Sequence, residues 1–262
     1  MNLRSSSCAF ALTLGLAFVG CVEKKTAQPS SSSGGTSTSG SSGSAGTPGP
    51  VPSVVSPTEA GVDALTGTVR YLALGDSITS GGGSPNPETV SFVARLSERW
   101  RARGCTVELK NVGVSGATSA DIIAVQVPEL APFKPTFVTL QVGANDIVHD
   151  VTVDTYRANV RTIIDAAKAT GARVVVIGQN EWPRSPRAPD YGTNLVEKRL
   201  VYEAAFVEEV RAKSVQMVDL ASIYRAAADA GQWASDGIHP TPEAYDAVAA
   251  EMARVLTAPC AK

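Results

Sequence analysis

Histidine and cysteine are scarce in this chain: two histidines, His149 and His239, and four cysteines stand among 262 residues. No His or Cys pair has the spacing of a zinc site, so neither a structural nor a catalytic metal is implied. Charge of one sign is equally lacking. Lys and Arg number 23 against 25 Asp and Glu, a formal net charge of −2, which gives no reason to expect nucleic acid as a partner. Gly75 and Gly81 to Gly83 lack the lysine and the interval of a phosphate-binding loop, and no dinucleotide fingerprint follows the first apolar run. No cofactor is called for. A run long enough to cross a bilayer as an ordinary helix is also missing. Residues 8–20, continuously small and apolar, fall short of that length.

Those residues follow a positive charge at Arg4 and precede a polar, low-complexity stretch, the proportions of a signal peptide over residues 1–20. The run ends Phe18-Val19-Gly20-Cys21, which resembles a bacterial lipoprotein lipobox. The resemblance implies cleavage before Cys21, lipid attached to its thiol, and a place in the bacterial cell envelope, periplasmic or at the surface, with the membrane as a partner through that anchor. Residues 21–65 form the connecting segment. Ser, Gly, Thr and Pro dominate positions 28–57, too little apolar surface to offset the entropy of ordering, so a disordered tether is expected there.

One folded domain is expected over residues 66–262. Short β-branched runs at 69–74, 107–111, 137–142, 174–177 and 216–219 alternate with helical patterns at 88–103, 119–127, 154–170, 194–213, 221–230 and 242–257. Gly104 and Gly171 stand where two of these helices should stop. Alternation of this kind predicts an α/β fold. The expected form is a three-layer α/β/α sandwich around a flavodoxin-like, five-stranded parallel sheet of order 2-1-3-4-5. Ligands in such sheets bind beyond the carboxyl ends of the strands, so the residues after each strand carry the functional information.

Four blocks stand there. Gly75-Asp76-Ser77-Ile78 follows the first strand and Asn111-Val112-Gly113-Val114-Ser115-Gly116 the second. Gly143-Ala144-Asn145-Asp146 follows the third, and Asp236-Gly237-Ile238-His239-Pro240 precedes the last helix. In this order they resemble the GDSL or SGNH hydrolase family, over the whole folded domain. The resemblance implies a carboxylic ester hydrolase with Ser77 as nucleophile and an oxyanion hole of the Ser77 and Gly116 backbone N–H groups and the Asn145 side-chain amide.

The chemistry of the residues stands beside that resemblance. A serine hydroxyl needs a base within hydrogen-bond reach, and histidine suits neutral pH best. His239 lies three residues after Asp236, a spacing that lets a carboxylate meet Nδ1 and fix the tautomer. Ser77, His239 and Asp236 are therefore the expected catalytic set. His149 is read as a rim histidine, and Asp76 and Asp146 are left outside that set. The loop 179–194, rich in proline, overhangs the same edge; Trp182 and Tyr191 are its candidate substrate contacts. The expected activity is hydrolysis of acyl esters, acetyl among them, on small or carbohydrate-linked substrates. Two alternatives are a lipid acyl hydrolase of the lysophospholipase or thioesterase type and a non-catalytic glycan-binding lipoprotein. A complete nucleophile, base and oxyanion set favours an enzyme.

Cysteine arithmetic closes the reading. Cys8 leaves with the signal and Cys21 is taken by lipid, which leaves Cys105 and Cys260 as a pair in an oxidising compartment. Right-handed crossovers put the first and last helices on one face. Both end at the edge opposite the active site, so a Cys105–Cys260 disulfide is expected.

Overall fold

The computed structural model describes residues 67–260. The expected signal peptide, Cys21 and the linker over 21–65 lie outside the described residues. Within them, the β-branched runs become five strands: β1 Val69–Gly75, β2 Val107–Asn111, β3 Phe137–Gln141, β4 Arg173–Ile177 and β5 Gln216–Val218. All pair in parallel, in the order β2-β1-β3-β4-β5. β3, paired on both sides, is buried along its whole length, Thr139 and Gln141 included, as a central parallel strand covered on both faces should be. The register sets Ala73 beside Asn111 and Gly75 beside Gln141, so the first three blocks emerge together at one edge.

Five long helices cover the sheet: α1 Phe92–Ala102, α2 Val153–Ala169, α3 Leu195–Ala212, α4 Ala221–Asp229 and α5 Pro242–Val255. On one face Tyr71, Phe137 and Val175 of the strands pack with Trp100 of α1, Tyr224 of α4 and Met252 of α5. On the other, Leu72, Leu140 and Val176 meet Ile163 of α2 and Phe206 of α3. Burial of each such side chain contributes about 1.5–3 kcal/mol, so the alternating apolar runs commit the chain to two cores with the sheet between them.

Two helices differ from the sequence expectation. The pattern over 88–103 is broken at Ser91, whose extended backbone ends one short turn at Val90 while its hydroxyl accepts from Ala94 N to start α1. A serine cap has won over the apolar period. The segment expected over 119–127 continues to Phe133, through a π-helical turn Ile122–Gln126 and a 3₁₀ turn Val127–Glu129 containing Pro128.

Cys105 follows α1 and Cys260 follows α5, and a disulfide joins them across 155 residues of chain. Both stand beyond the helix ends that lie away from the four blocks. Replacing both by serine is expected to lower the unfolding free energy by about 5 kcal/mol, the loop-closure value for a loop of this length. Denaturant unfolding measures this, and ester hydrolysis at 25 °C should not change.

Candidate active site

The site begins where β1 runs out. Gly75 is followed by Asp76, which caps a single helical turn, Ser77–Ser80, by accepting from Ile78 N at 2.9 Å. The turn leaves the sheet steeply, and only glycine fits at its root. A Cβ on Gly75 would stand 2.1 Å from Thr79 Oγ1 and 2.7 Å from the Gln141 carbonyl oxygen. Gln126 then clamps that glycine from the side. Its amide donates to Gly75 O and its oxygen accepts from Gly75 N, both at 2.8 Å. The π-helical turn is what carries Gln126 there. Extra residues of this kind in a helix often mark functional sites, but no sequence signal tied Gln126 to the nucleophile.

The second block packs against the same turn. Asn111 Nδ2 donates to Thr79 O at 2.7 Å while its Oδ1 accepts from Gly113 N. Gly113 is needed for this approach, since its Cβ would lie 2.8 Å from Ser80 N. Asp146 of the third block is fully buried and accepts from both the backbone N–H and the hydroxyl of Ser119. Its burial raises the carboxyl pKa, and its bonds fix one loop to another. Asp76 and Asp146 thus shape the backbone, in keeping with their place outside the expected catalytic set.

The fourth block is a tight hairpin. Ala234 N donates to His239 O at 2.7 Å and Thr241 N to Gln232 O at 3.1 Å. Inside it, His239 Nδ1 lies 2.6 Å from Asp236 Oδ2, and Asp236 Oδ1 accepts from the N–H groups of Ile238 and His239. Burial works against the Asp236 charge. The bonds from His239 and Ile238 outweigh it and hold the carboxyl below the usual carboxylate range. A carboxylate so held fixes the imidazole with Nε2 facing outward as acceptor.

The hairpin meets the nucleophile across the glycines that follow it. A carbon placed as a Cβ on Gly82 would touch both partners, at 2.9 Å from His239 Nε2 and 3.1 Å from Ser77 Cβ. One on Gly83 would stand 2.6 Å from His239 Cβ. No hydrogen bond joins the Ser77 hydroxyl to Nε2 in this conformer; such bonds commonly tighten only with substrate bound. The strap is pinned on both sides. Gly82 N donates to Ser77 O at 2.7 Å, and the Tyr245 hydroxyl of α5 donates to Gly82 O at 2.9 Å. Tyr245 and the close fit of Gly82 and Gly83 escaped the sequence, which marks them only as a loop.

The expected oxyanion donors also gather at this edge. Asn145 lies one residue into the short helix Ala144–Val148, and its Nδ2 donates to Ala117 O at 3.0 Å, leaving a second amide hydrogen. Gly116 has a φ of +82°. A Cβ there meets nothing within 4 Å, so backbone conformation, not crowding, is what asks for glycine in the protein alone. His149 is exposed just after this helix.

The two aromatic candidates of the 179–194 loop part company. Trp182 is buried in the core, its indole N–H on Gln179 Oε1 at 3.0 Å, so it shapes the loop and is not open to substrate. Tyr191 is exposed. The loop touches the site through Arg187 instead, whose N–H donates to Gly237 O at 3.1 Å. Among the described residues, no three His, Cys, Asp or Glu side chains cluster to hold a metal ion.

A parallel sheet that presents a serine at the end of its first strand, near a His–Asp pair, is an arrangement able to support hydrolysis by a nucleophilic serine. The chain belongs to the GDSL-like Lipase/Acylhydrolase family, whose profile matches residues 73–247. It is similar to a protein named Esterase TesA from Pseudomonas aeruginosa, 28% identical over 170 residues, 64% of this chain and 78% of that one. An arylesterase of Vibrio mimicus is 26% identical over 194 residues, 71% of this chain and 88% of the other. Among solved structures, TesA superposes with a TM-score of 0.59 at 25% identity, covering 71% of this chain and 95% of that one. An acetylxylan esterase from Geobacillus stearothermophilus shares the fold at 18% identity, with a TM-score of 0.60 over 73% of this chain and 95% of that chain.

The buried cap gives a pH-dependent prediction. Burial pushes the Asp76 carboxyl up to about 7, against hydrogen bonding that favours its charge. The Gln141 amide lies beside it, yet its two polar atoms and Asp76 Oδ2 complete no hydrogen bond. A carboxyl raised in the folded state holds its proton longer than in the unfolded chain, so stability falls as pH rises from about 4 to about 7 and stays lower above that. Asp76→Asn keeps an oxygen for Ile78 N and removes the ionisation. It should raise the melting temperature more at pH 8 than at pH 4, by a free energy of at most about 4 kcal/mol. Thermal melts at the two pH values check it; equal shifts would contradict it.

Proposed function

We propose that the chain is a serine esterase acting on small acyl esters through Ser77, His239 and Asp236. The observation that carries this is the Asp236–His239 pair, at 2.6 Å, facing Ser77 across the Gly82 strap. Ser77 Oγ attacks the ester carbonyl carbon as His239 Nε2 takes the hydroxyl proton. The carbonyl electrons move to oxygen, and the resulting oxyanion is received by the N–H groups of Ser77 and Gly116 and by the Asn145 amide. Collapse expels the alcohol, which takes the proton from His239. Water, activated by the same imidazole, then releases the acid. The free amide hydrogen on Asn145 and the positive φ of Gly116, which turns its backbone at the same edge, support that assignment. Two relatives named as an esterase and an arylesterase support small or aromatic esters as substrates.

The same proposal includes export. The apolar run at 8–20 and the sequence ending at Cys21 support a lipid-anchored protein of the bacterial envelope, and a disulfide between Cys105 and Cys260 suits an oxidising compartment. Mass spectrometry of the mature N-terminus reads this directly: diacylglyceryl on Cys21 is expected, and an intact Met1 would refute it.

Hydrolysis of a chain-length series of aryl esters tests the activity. Acetate and butyrate should be the best substrates, and a preference for long chains would move the assignment to lipid acyl groups. Ser77→Ala should lower kcat by several powers of ten while leaving the fold intact. Asn145→Ala should cost about 10²–10³ in kcat with a smaller effect on KM, because its donor serves the transition state. A change confined to KM would make Asn145 a ground-state contact.

A further inference from the structure

Helix α3 packs Leu195, Tyr202, Ala205, Phe206 and Val210 inward and buries two charges among them. Arg199 and Glu209 are 9% and 5% exposed, Arg199 paired with Glu181 and Glu203, and Glu209 with Arg161 of α2. The outer side of α3 is apolar: Val196, Leu200 and Val201 are 46%, 41% and 53% exposed, on a chain that exposes only four other large apolar side chains among its described residues. Ala204 is exposed on the same side and Val207 half-buried. A surface helix ordinarily turns polar groups outward, so an apolar stripe on its outer side as well asks for a cover.

The order of residues along the stripe indicates what covers it. Glu197, Ala204 and Arg211 are seven residues apart and all exposed, with Leu200, Val201, Val207 and Glu208 between them. This is the spacing of a helix-pairing seam. Its charges are antisymmetric about Ala204. A twofold axis at Ala204 sets Glu197 of one copy against Arg211 of the other, twice. The same axis sets Val201 of each copy against Val207 of the other, and Leu200 against the Glu208 that Arg157 already holds, around the small alanine, which lets the helix axes approach closely. Glu197 and Arg211 form no ion pair among the described residues, whereas Glu208 is already held by Arg157 of its own chain at 2.5 Å and Lys198 by Asp150 at 3.1 Å. The two unpaired charges are thus the two that the axis joins.

We infer that α3 is a self-complementary docking surface on which two copies of this chain pair antiparallel. A single helix seam is small among specific interfaces, so the association is reversible and depends on concentration. Sedimentation of the purified full chain across a concentration series tests it. A monomer–dimer equilibrium is expected. Glu197→Arg and Arg211→Glu, each meeting a like charge twice at the seam, should weaken it at least about tenfold, and the two substitutions together should restore it. Ester hydrolysis per chain should be unchanged in all three variants, which also reports that they fold. A chain that stays monomeric at every concentration, or a dimer indifferent to the single reversals, overturns the inference. So does a monomer that binds phosphatidylglycerol vesicles through this face and loses that binding on Leu200→Asp.

Discussion

The carboxyl edge of the sheet depends on how tightly the chain turns at Gly75. With no side chain there, Thr79 folds back over the strand end and the β3 carbonyl comes alongside. Only that compactness lets loops from β2 and β3 reach the nucleophile turn with their own backbones. The next requirements follow in sequence. Asn111 closes on Thr79 O, Gly113 slides under Ser80, and Asp146 ties the third loop to Ser119. A methyl group at position 75 would strike Thr79 and the β3 carbonyl directly, and through Thr79 disturb the contacts of Asn111 and Gly113.

The residues proposed for the chemistry are few, and residues that hold them are many and come from elsewhere in the chain. Gln126 grips the strand end, Tyr245 pins the strap beside His239, and Arg187 holds the hairpin that carries Asp236. Each belongs to an element whose main business is packing: a distorted helix, the last helix, a proline-rich loop. Geometry on the scale of an ångström decides rates in such sites, so these supports matter as much as the reacting side chains themselves.

That division explains what could be read in the residues alone. Strand order followed from alternation of β-branched and helical runs, because a parallel sheet with helices on both faces is what such alternation can bury. The proposed Ser77 and Asp236–His239 set was suggested by local patterns, a glycine shortly before a serine and a carboxylate three residues before an imidazole, whereas Asn145 came from the family resemblance. Gln126 and Tyr245 were not visible, since a buried glutamine and a helical tyrosine carry no mark of the distant backbone atoms they will meet. Trp182 misled for a related reason. A loop tryptophan has the composition of a binding residue, yet Gln179 and the core beneath it offered a better place for its ring and its N–H. Ser91 shows the limit of periodicity itself, a local hydroxyl overruling an otherwise continuous helical pattern.

The bond between Cys105 and Cys260 has a bearing on survival. Three of the four blocks lie inside the span it closes, while Ser77 lies before it. The long 179–194 loop, a natural target for proteolysis where it is exposed, lies inside too. A single cut anywhere in that span leaves two polypeptides still fastened together, with Ser77 on one and His239 on the other whenever the cut falls before Asp236. A chain nicked there is then still one molecule. Its two halves remain covalently joined beside the helices α1 and α5 that the bond follows.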